Sequence, residues 1–358
     1  MSGGVDSSVA AALLKESGHE VIGITMQVHP DEEGSQPRRF GGCCGVEDVV
    51  DAARVARKLD IRHYVANFRE IFAREVIDDF CREYLAGRTP NPCIRCNRYL
   101  KFDALLERAR QLDADCVASG HYARIDHDGD GGRYRLLKGI DSGKDQSYVL
   151  YGMTQAQLEH SLFPVGELTK RQVREVASRL DLPVADKPES QEICFVADND
   201  YARFVTEYAG RVPRPGPILD MTGRVIGKHR GIAAYTIGQR RGLGASGGGP
   251  RYVVAIDPEA NSITVGDKED VYSDELTTSA LNWIAVGGLD GKMAVTAKIR
   301  YRHEAAAATV APLDGGSVGV IFREPQPAIA PGQAVVFYDG ETVVGGGSIA
   351  RVAQKVAA

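Results

Sequence analysis

Residues 1–8 read MSGGVDSS, and the fold follows from how that stretch is understood. Two adjacent glycines, Gly3 and Gly4, let the backbone pass close to a bulky anion, because no Cβ stands in the way. Hydroxyls flank them at Ser2, Ser7 and Ser8, and Asp6 adds one carboxylate. Residues 9–15, VAAALLK, favour helix and contain no breaker. The loop therefore delivers backbone N–H groups to a helix N-terminus, which attracts negative charge. The spacing is not that of a GxxxxGK loop, and no lysine follows the glycines, so this is not the common nucleotide P-loop. The plainer reading is a capped helix behind a glycine-rich turn. A loop of this kind is expected to follow a buried strand. None precedes it, so an upstream segment carrying the first strand of the sheet is expected.

Strand and helix signals alternate beyond the loop. Residues 19–28 are mostly β-branched and apolar, a buried strand, and 29–45 are a polar loop holding Cys43 and Cys44. Residues 46–59 carry a helical stripe, 61–68 a strand and 70–85 a helix. Residues 86–98 read as a Pro- and Cys-rich loop, 102–112 as a helix, and 115–119 as a short strand ending at Gly120 and His121. The alternation predicts an α/β domain with a doubly wound parallel sheet. Ligands of such sheets bind at the carboxyl ends of the strands, so residues 1–8, Met26, the Cys loop and Gly120 are expected on one edge. Residues 122–140 read as a hairpin, and 169–180 as a helix capped by Thr169.

Near residue 205 the composition changes. Pro213, Pro215 and Pro217 break the helical pattern, and glycine becomes frequent. Strands are expected at 224–228, 234–237, 252–257 and 262–266. Residues 292–302 alternate: Met293, Val295, Ala297, Ile299 and Tyr301 on one side, Thr296, Lys298, Arg300 and Arg302 on the other. Asp339 and Gly340 close a final hairpin. Three domains are expected: 1–204 binding the anion, 205–275 a small central β domain, and 276–358 a β barrel.

The chain has 358 residues and a net charge of −5, which does not announce a nucleic-acid partner. Any such contact rests on local patches, of which Arg224, Lys228, His229, Arg230, Arg240 and Arg241 are the densest. No apolar run has the length of a membrane span. The seven cysteines, an odd count without an export signal, point to the reducing cytosol. Cys93 and Cys96 stand among Arg88, Arg95 and Arg98, cations that favour thiolate. A CxxC alone also suits zinc or a redox pair, but it lacks two further spaced ligands for the first and the fold context for the second. By itself Cys194, between Ile193 and Phe195, reads equally as a buried small hydrophobe.

SGGVDSS, TPNPCIRCN, SGHYAR, KDQSY, LFPVGELTK, ICF, GQRRGLG, RYRH and APGQ occur in this order along nearly the whole chain. Together they resemble the tRNA-specific 2-thiouridylases, members of the PP-loop ATP pyrophosphatase superfamily with an adenine nucleotide alpha hydrolase-like fold. The resemblance implies ATP-dependent 2-thiolation of the wobble uridine, position 34. ATP adenylates the base O2, with Mg²⁺, and a cysteine persulfide then delivers sulfur. By motif, Met1, Ser2, Gly3, Gly4, Val5, Asp6, Ser7, Met26 and Gly120 match nucleotide contacts. Cys194 matches the persulfide carrier and Cys96 the nucleophile that releases the sulfur, leaving a Cys96–Cys194 disulfide. Asn91, Pro92 and Cys93 match the segment facing the target base. Some members have Asp where this chain has Cys93. His121, Lys144, Asp145, Gln146, Arg300, Tyr301 and Gln333 match further tRNA contacts.

The resemblance also implies the lysine, glutamate and glutamine acceptor tRNAs, and a cysteine desulfurase or sulfur-relay carrier as donor. An iron–sulfur cluster on Cys93, Cys96 and Cys194 is a possible but less favoured outcome. Cys43 and Cys44 are read as packing residues. Two other readings stay open. A PP-loop amide ligase acting on a small molecule explains the loop but not the thiols. A non-catalytic tRNA-binding protein suits a chain whose first strand is missing.

Overall fold

The structure is a computed structural model, and it describes residues 1–28, 45–129, 132–188, 193–196, 198–243 and 249–353. Cys43 and Cys44 lie outside the described residues. The chain forms two compact units. Residues 1–77, 92–199 and 341–343 make the first, and 78–91, 200–340 and 344–358 the second.

In the first unit, α1 (Val5–Glu16) begins directly behind Gly4. Asp6 lies in its first turn and Lys15 in its last, each on the favourable end of the helix dipole. Val5, Val9 and Ala10 bury one face against Val55, Tyr122, Val165, Val173 and Ala177. Strand β1 (Ile22–Gln27) pairs in parallel with β2 (Arg62–Asn67), and α2 (Val46–Lys58) crosses between them. A second parallel pair joins β3 (Val117–Ala118) to β6 (Ser161–Leu162). Between these, β4 (Ala123–His127) and β5 (Tyr134–Lys138) form the expected antiparallel hairpin. The parallel α/β character is as read from the sequence, but the described parallel strands fall into two pairs rather than one continuous sheet. Beside β1 runs the backbone of Met1: its N–H donates to the Ile24 carbonyl, and Thr25 Oγ1 donates to the Met1 carbonyl at 2.8 Å.

The stretch 86–98 is the main correction. Its second half is helical: Pro92–Arg95 forms a first turn, Cys96–Ala104 continues as a π-helix, and Leu105–Arg110 completes the run. Proline is welcome at the first position of a helix, where its missing N–H is no loss. Pro92, Asn97, Leu100, Phe102 and Leu106 then supply a buried stripe. Cys93 and Cys96 therefore sit on a helix, not in a loop. A second π turn, Ala73–Ile77, follows the helix Arg69–Phe72. Such widened turns concentrate at functional sites.

The second unit is β-rich. Strands β7 (Gly216–Leu219), β8 (Val225–His229), β9 (Tyr252–Asp257) and β10 (Ser262–Gly266) form one sheet in the order β8-β7-β10-β9. The proline-rich stretch hides β7 from a sequence reading, because Pro217 lies inside it. The strand expected at 234–237 is instead a 3₁₀ turn, Ile232–Ala234, entered through Gly231. Strands β11 (Tyr272–Trp283), β12 (Met293–Lys298), β13 (Ala306–Pro312), β14 (Val318–Pro327), β15 (Ala334–Asp339) and β16 (Thr342–Val352) follow. Their order β11-β14-β13-β12-β15-β16 is closed by pairing of β11 with β16, which makes a six-stranded barrel. Val295 and Ala297 of β12, and Ile299 just beyond it, fill its interior with Val320, Phe322 and Phe337, so the alternation read at 292–302 is the pleat of β12 as far as Lys298, and residues 299–302 turn out of the strand.

Candidate active site

Gly4 is the N-cap of α1 in extended conformation, and glycine offers no side chain to satisfy the first N–H groups of the helix. Gly3 has φ +68°, and a Cβ there would lie 2.4 Å from the Asp48 carbonyl oxygen. Gly120 is equally constrained, since its Cβ would fall 2.5 Å from the carbonyl carbon of Asp6. Two glycines are thus required by close backbone approach, and the loop is clamped between α2 and the end of β3. Hydroxyls tie it internally. Ser7 and Ser8 donate to the Gly4 carbonyl at 3.2 and 2.8 Å, and the Ser2 and Ser7 hydroxyls lie 3.1 Å apart.

Asp6 is held from two sides. Its Oδ1 accepts from the Tyr122 hydroxyl at 2.7 Å and from Lys170 Nζ at 2.7 Å. Lys170 opens the helix Lys170–Arg179, whose cap is the expected Thr169 in a reciprocal box with Gln172. Tyr122 also organises the neighbouring loop: its N–H donates to Gln146 Oε1 at 2.9 Å, and its carbonyl accepts from the Gln146 N–H at 2.9 Å. Asp145 accepts from the N–H groups of Gly139 and Ser147 and from the Ser147 hydroxyl. His121 is enclosed, with Phe102 and Phe163 rings each 5.9 Å away and the Ser119 hydroxyl 2.7 Å from Nδ1. Burial, followed by the nearby Lys101 ammonium, holds its pKa well below the usual value.

The thiol-bearing segments are fixed separately. Lys187, at the head of the stretch leading to Cys194, donates to Asp48 at 2.8 Å and Asp51 at 2.7 Å. Arg174 holds the same stretch through the Ala185 carbonyl at 2.9 Å. Phe195 is buried with its ring edge-on to Phe72, at 5.6 Å between centroids. On the Cys96 side, Arg95 Nε donates to the Glu75 carbonyl at 2.5 Å and its guanidinium reaches the Glu75 carboxylate at 3.3 Å. Both segments are therefore anchored on residues 69–77. Cys93 is exposed, while Cys96 and Cys194 are half-buried. Among the described residues, no group of three or more His, Cys, Asp or Glu side chains is gathered as a metal-ligand set, Cys93, Cys96 and Cys194 included. Cys81 lies in the second unit and is buried, its thiol pushed up to about 12 by burial and by Asp78.

Residues 1–198 match a family model described as the tRNA methyl transferase HUP domain. Residues 202–267 match the tRNA methyl transferase PRC-barrel domain, and 273–349 the aminomethyltransferase beta-barrel domain. A tRNA-specific 2-thiouridylase from Moorella thermoacetica is 57% identical over 354 residues, 99% of each chain. The chain belongs to the tRNA-specific 2-thiouridylase family. Relatives in Caldanaerobacter subterraneus subsp. tengcongensis and Heliobacterium modesticaldum are each 56% identical, covering 98% of this chain and 96% and 91% of theirs.

Of the residues expected to face tRNA, Asn91, Arg300, Tyr301 and Gln333 lie in the second unit. Arg300 donates to the Pro327 carbonyl at 3.2 Å and is half-buried. Lys298 Nζ lies 5.8 Å from the centre of the Tyr301 ring. Gln333 Nε2 donates to the Thr89 carbonyl at 2.8 Å, so this side chain already holds a turn. In the basic stretch, Arg230, Arg240 and Arg241 are exposed, whereas His229 is buried, its Nδ1 accepting from the Gly231 N–H at 3.0 Å and its Nε2 lying 2.9 Å from the Asn261 carbonyl. His229 therefore leaves the surface cluster read from the sequence. Sequence reasoning missed Tyr122, Lys170, Lys187 and Arg95 as organisers. Tyr122 and Lys170 stand inside the quoted motifs SGHYAR and LFPVGELTK, and that was the available signal.

Proposed function

We propose that this chain uses ATP to put sulfur on C2 of the wobble uridine, position 34, of tRNA. The observation that carries the reading is the makeup of the first unit. It holds an uncapped helix N-terminus behind Gly3 and Gly4, and two half-buried thiols, Cys96 and Cys194, whose segments are anchored on residues 69–77. The loop binds the ATP phosphates, with Met1, Ser2, Val5, Ser7, Met26 and Gly120 lining the nucleotide. Mg²⁺ suits Asp6, because that ion needs only one or two carboxylates when phosphates complete its shell, and it would supply neutralising charge there.

The base O2 attacks Pα of ATP, and pyrophosphate leaves. Oxide is a poor leaving group, and AMP is a good one. The terminal sulfur of a Cys194 persulfide then attacks C2 and expels AMP. Cys96 attacks the Cys194 sulfur, the S–S bond to the base sulfur breaks, and 2-thiouridine leaves behind a Cys96–Cys194 disulfide. An external dithiol returns the pair to thiols. No step passes through an iron–sulfur cluster. Asn91, Pro92 and Cys93 face the target base, and Lys144, Asp145, Gln146, Arg300, Tyr301 and Gln333 position the tRNA. His121 acts from its enclosed place by shaping the loop between Gly120 and Tyr122. The domain division 1–204, 205–275 and 276–358 accompanies this assignment.

The partners are tRNAs accepting lysine, glutamate and glutamine, and a cysteine desulfurase or relay carrier, in the cytoplasm. Among the described residues no helix is long and apolar enough to cross a membrane. A small-molecule amide ligase would leave Cys96 and Cys194 without work. The test is mass spectrometry of wobble uridine after incubation with ATP and a sulfur donor. A gain of one sulfur that needs ATP is expected, and its absence overturns the reading.

A further inference from the structure

Asn97, the residue after Cys96, is 2% exposed. Its Nδ2 donates to the Val149 carbonyl at 3.0 Å. Its Oδ1 meets no donor among the described residues. Turning the amide over would set Oδ1 against the Val149 carbonyl, so that bond fixes its orientation. A buried acceptor left open has given up water for no return, and an apolar side chain of similar shape would spare the fold that cost. A second irregularity stands at the same place, because the helix widens into its π turn at Cys96. Two departures from regular structure thus coincide at the candidate nucleophile, and such departures gather at functional sites.

The group that Asn97 holds is informative. Val149 lies in the short helix Ser147–Leu150, whose four residues are all buried. That helix leaves the loop of Lys144, Asp145 and Gln146. Asp145 accepts from the Ser147 N–H at 3.0 Å and from the Ser147 hydroxyl at 2.9 Å. Gln146 accepts from the N–H of Tyr122, whose hydroxyl donates to Asp6. Residues 144–150 are therefore bonded on one side to the partner of the glycine loop and on the other to the helix of Cys96. Further ties flank Asn97 on that helix: Arg95 Nε donates to the Glu75 carbonyl, and Gln157 Nε2 donates to the Arg98 carbonyl at 3.1 Å. Asn97 carries the tie that runs to the segment expected to meet tRNA.

We propose that Asn97 is a positioning residue for Cys96, setting the thiol by its grip on Val149 so that it can attack the Cys194 sulfur once the base has been thiolated. This rests on the sulfur-transfer reading above. In that step the Cys96 thiolate forms the bond to Cys194 Sγ, the S–S bond to the base sulfur breaks, and its electron pair leaves on that sulfur as 2-thiouridine. The persulfide brought the oxidising equivalent, so no further oxidant is needed. Asn97 touches none of the reacting atoms. It acts on this last step and leaves adenylation and the first sulfur transfer, which use ATP and Cys194, as they are.

The experiment is a single turnover of the persulfide-loaded chain with ATP and tRNA, in wild type, Asn97→Leu, Asn97→Asp and Cys96→Ser. AMP release, the protein–tRNA adduct on a non-reducing gel and free 2-thiouridine are followed together. Leucine removes both amide groups, and aspartate keeps the shape but loses the donor, should the apolar variant fail to fold. Both variants should release AMP within twofold of the wild-type rate, with KM for ATP and tRNA within twofold. Release of 2-thiouridine should slow about 10- to 100-fold, the range for a misplaced reacting group. The adduct should build up and then decay, where in Cys96→Ser it persists. Equal slowing of AMP release and 2-thiouridine release would make Asn97 a strut of the whole unit and overturn the proposal, as would wild-type 2-thiouridine release in Asn97→Asp. No 2-thiouridine from wild type and no adduct from Cys96→Ser would overturn the sulfur-transfer reading itself.

Discussion

The ring of Phe195 meets the ring of Phe72 edge-on, with 79° between their planes, and both are buried. Phe195 is the residue after Cys194, and Phe72 ends the helix that leads into the π turn carrying Glu75. This aromatic pair therefore helps to fix where the Cys194 thiol stands. Phe195→Ala removes a buried ring, at a cost of about 3 kcal/mol. Thiolation should fall far more than ATP affinity, since the loop at Gly3 and Gly4 does not touch this ring. Parallel loss of both would show that the pair supports the whole unit and not the thiol.

The sulfur transfer proposed above gives Cys96 and Cys194 separable roles. Cys194→Ser should abolish thiolation and prevent persulfide formation on the chain. Cys96→Ser should still accept sulfur and attack the activated base, but it cannot break the resulting S–S bond. A covalent protein–tRNA adduct should then accumulate and be released by dithiothreitol, visible on a non-reducing gel. Cys93→Ala should retain activity, in keeping with an exposed position on the first helical turn.

Gly120→Ala places a methyl group against the backbone of Asp6, which has no flexible end to move aside. The loop must shift, and overpacking of this kind costs about 1–3 kcal/mol. ATP affinity should drop at least tenfold, while binding of tRNA alone should stay within a factor of two. Calorimetric titration of both ligands checks this.

His121 makes the fold acid-sensitive. Its folded pKa is lowered by burial, so the unfolded chain takes up a proton that the folded one resists. Stability is complete above the unfolded value near 6.5 and falls as pH drops below it, by up to about 1.4 kcal/mol per pH unit at this residue. His121→Gln should flatten that slope between pH 6.5 and 5 in urea unfolding. An unchanged slope would move the acid sensitivity elsewhere.

Transfer RNA binding should weaken steeply with salt, because basic side chains displace the counterions condensed on the phosphates into solution. Arg240→Ala together with Arg241→Ala should lower affinity and reduce the slope of log affinity against log salt by about one to two. Wild-type salt dependence in the double variant would remove this stretch from the RNA platform.

Much of this molecule could be read from local pattern. Thr169 announces its helix through a hydroxyl and a glutamine three residues on, and the side alternation of residues 293–298 is the pleat of β12. Such features depend on neighbours in sequence. The helical start at Pro92 was hidden because proline and cysteine suggest a loop, while the buried stripe that makes it helical lies further on. Strand β7 was hidden by prolines for the same reason. The Asp6–Lys170 contact is beyond local reading: nothing near either residue names the other, and only the packing of α1 against the helix Lys170–Arg179 brings them together. The motifs located the chemistry, but the supports of that chemistry are tertiary.

The closure of the barrel by β11 and β16 has a consequence for what can dock on the second unit. Closed in a ring, these strands leave little open edge, and Thr342 of β16 already pairs with Leu137 of β5, so a partner finds few free amides and carbonyls on which to extend the sheet. Whatever docks on that ring is met by side chains and by the turns at its rims. Its affinity can therefore be tuned one residue at a time without touching the hydrogen bonds that hold the strands together.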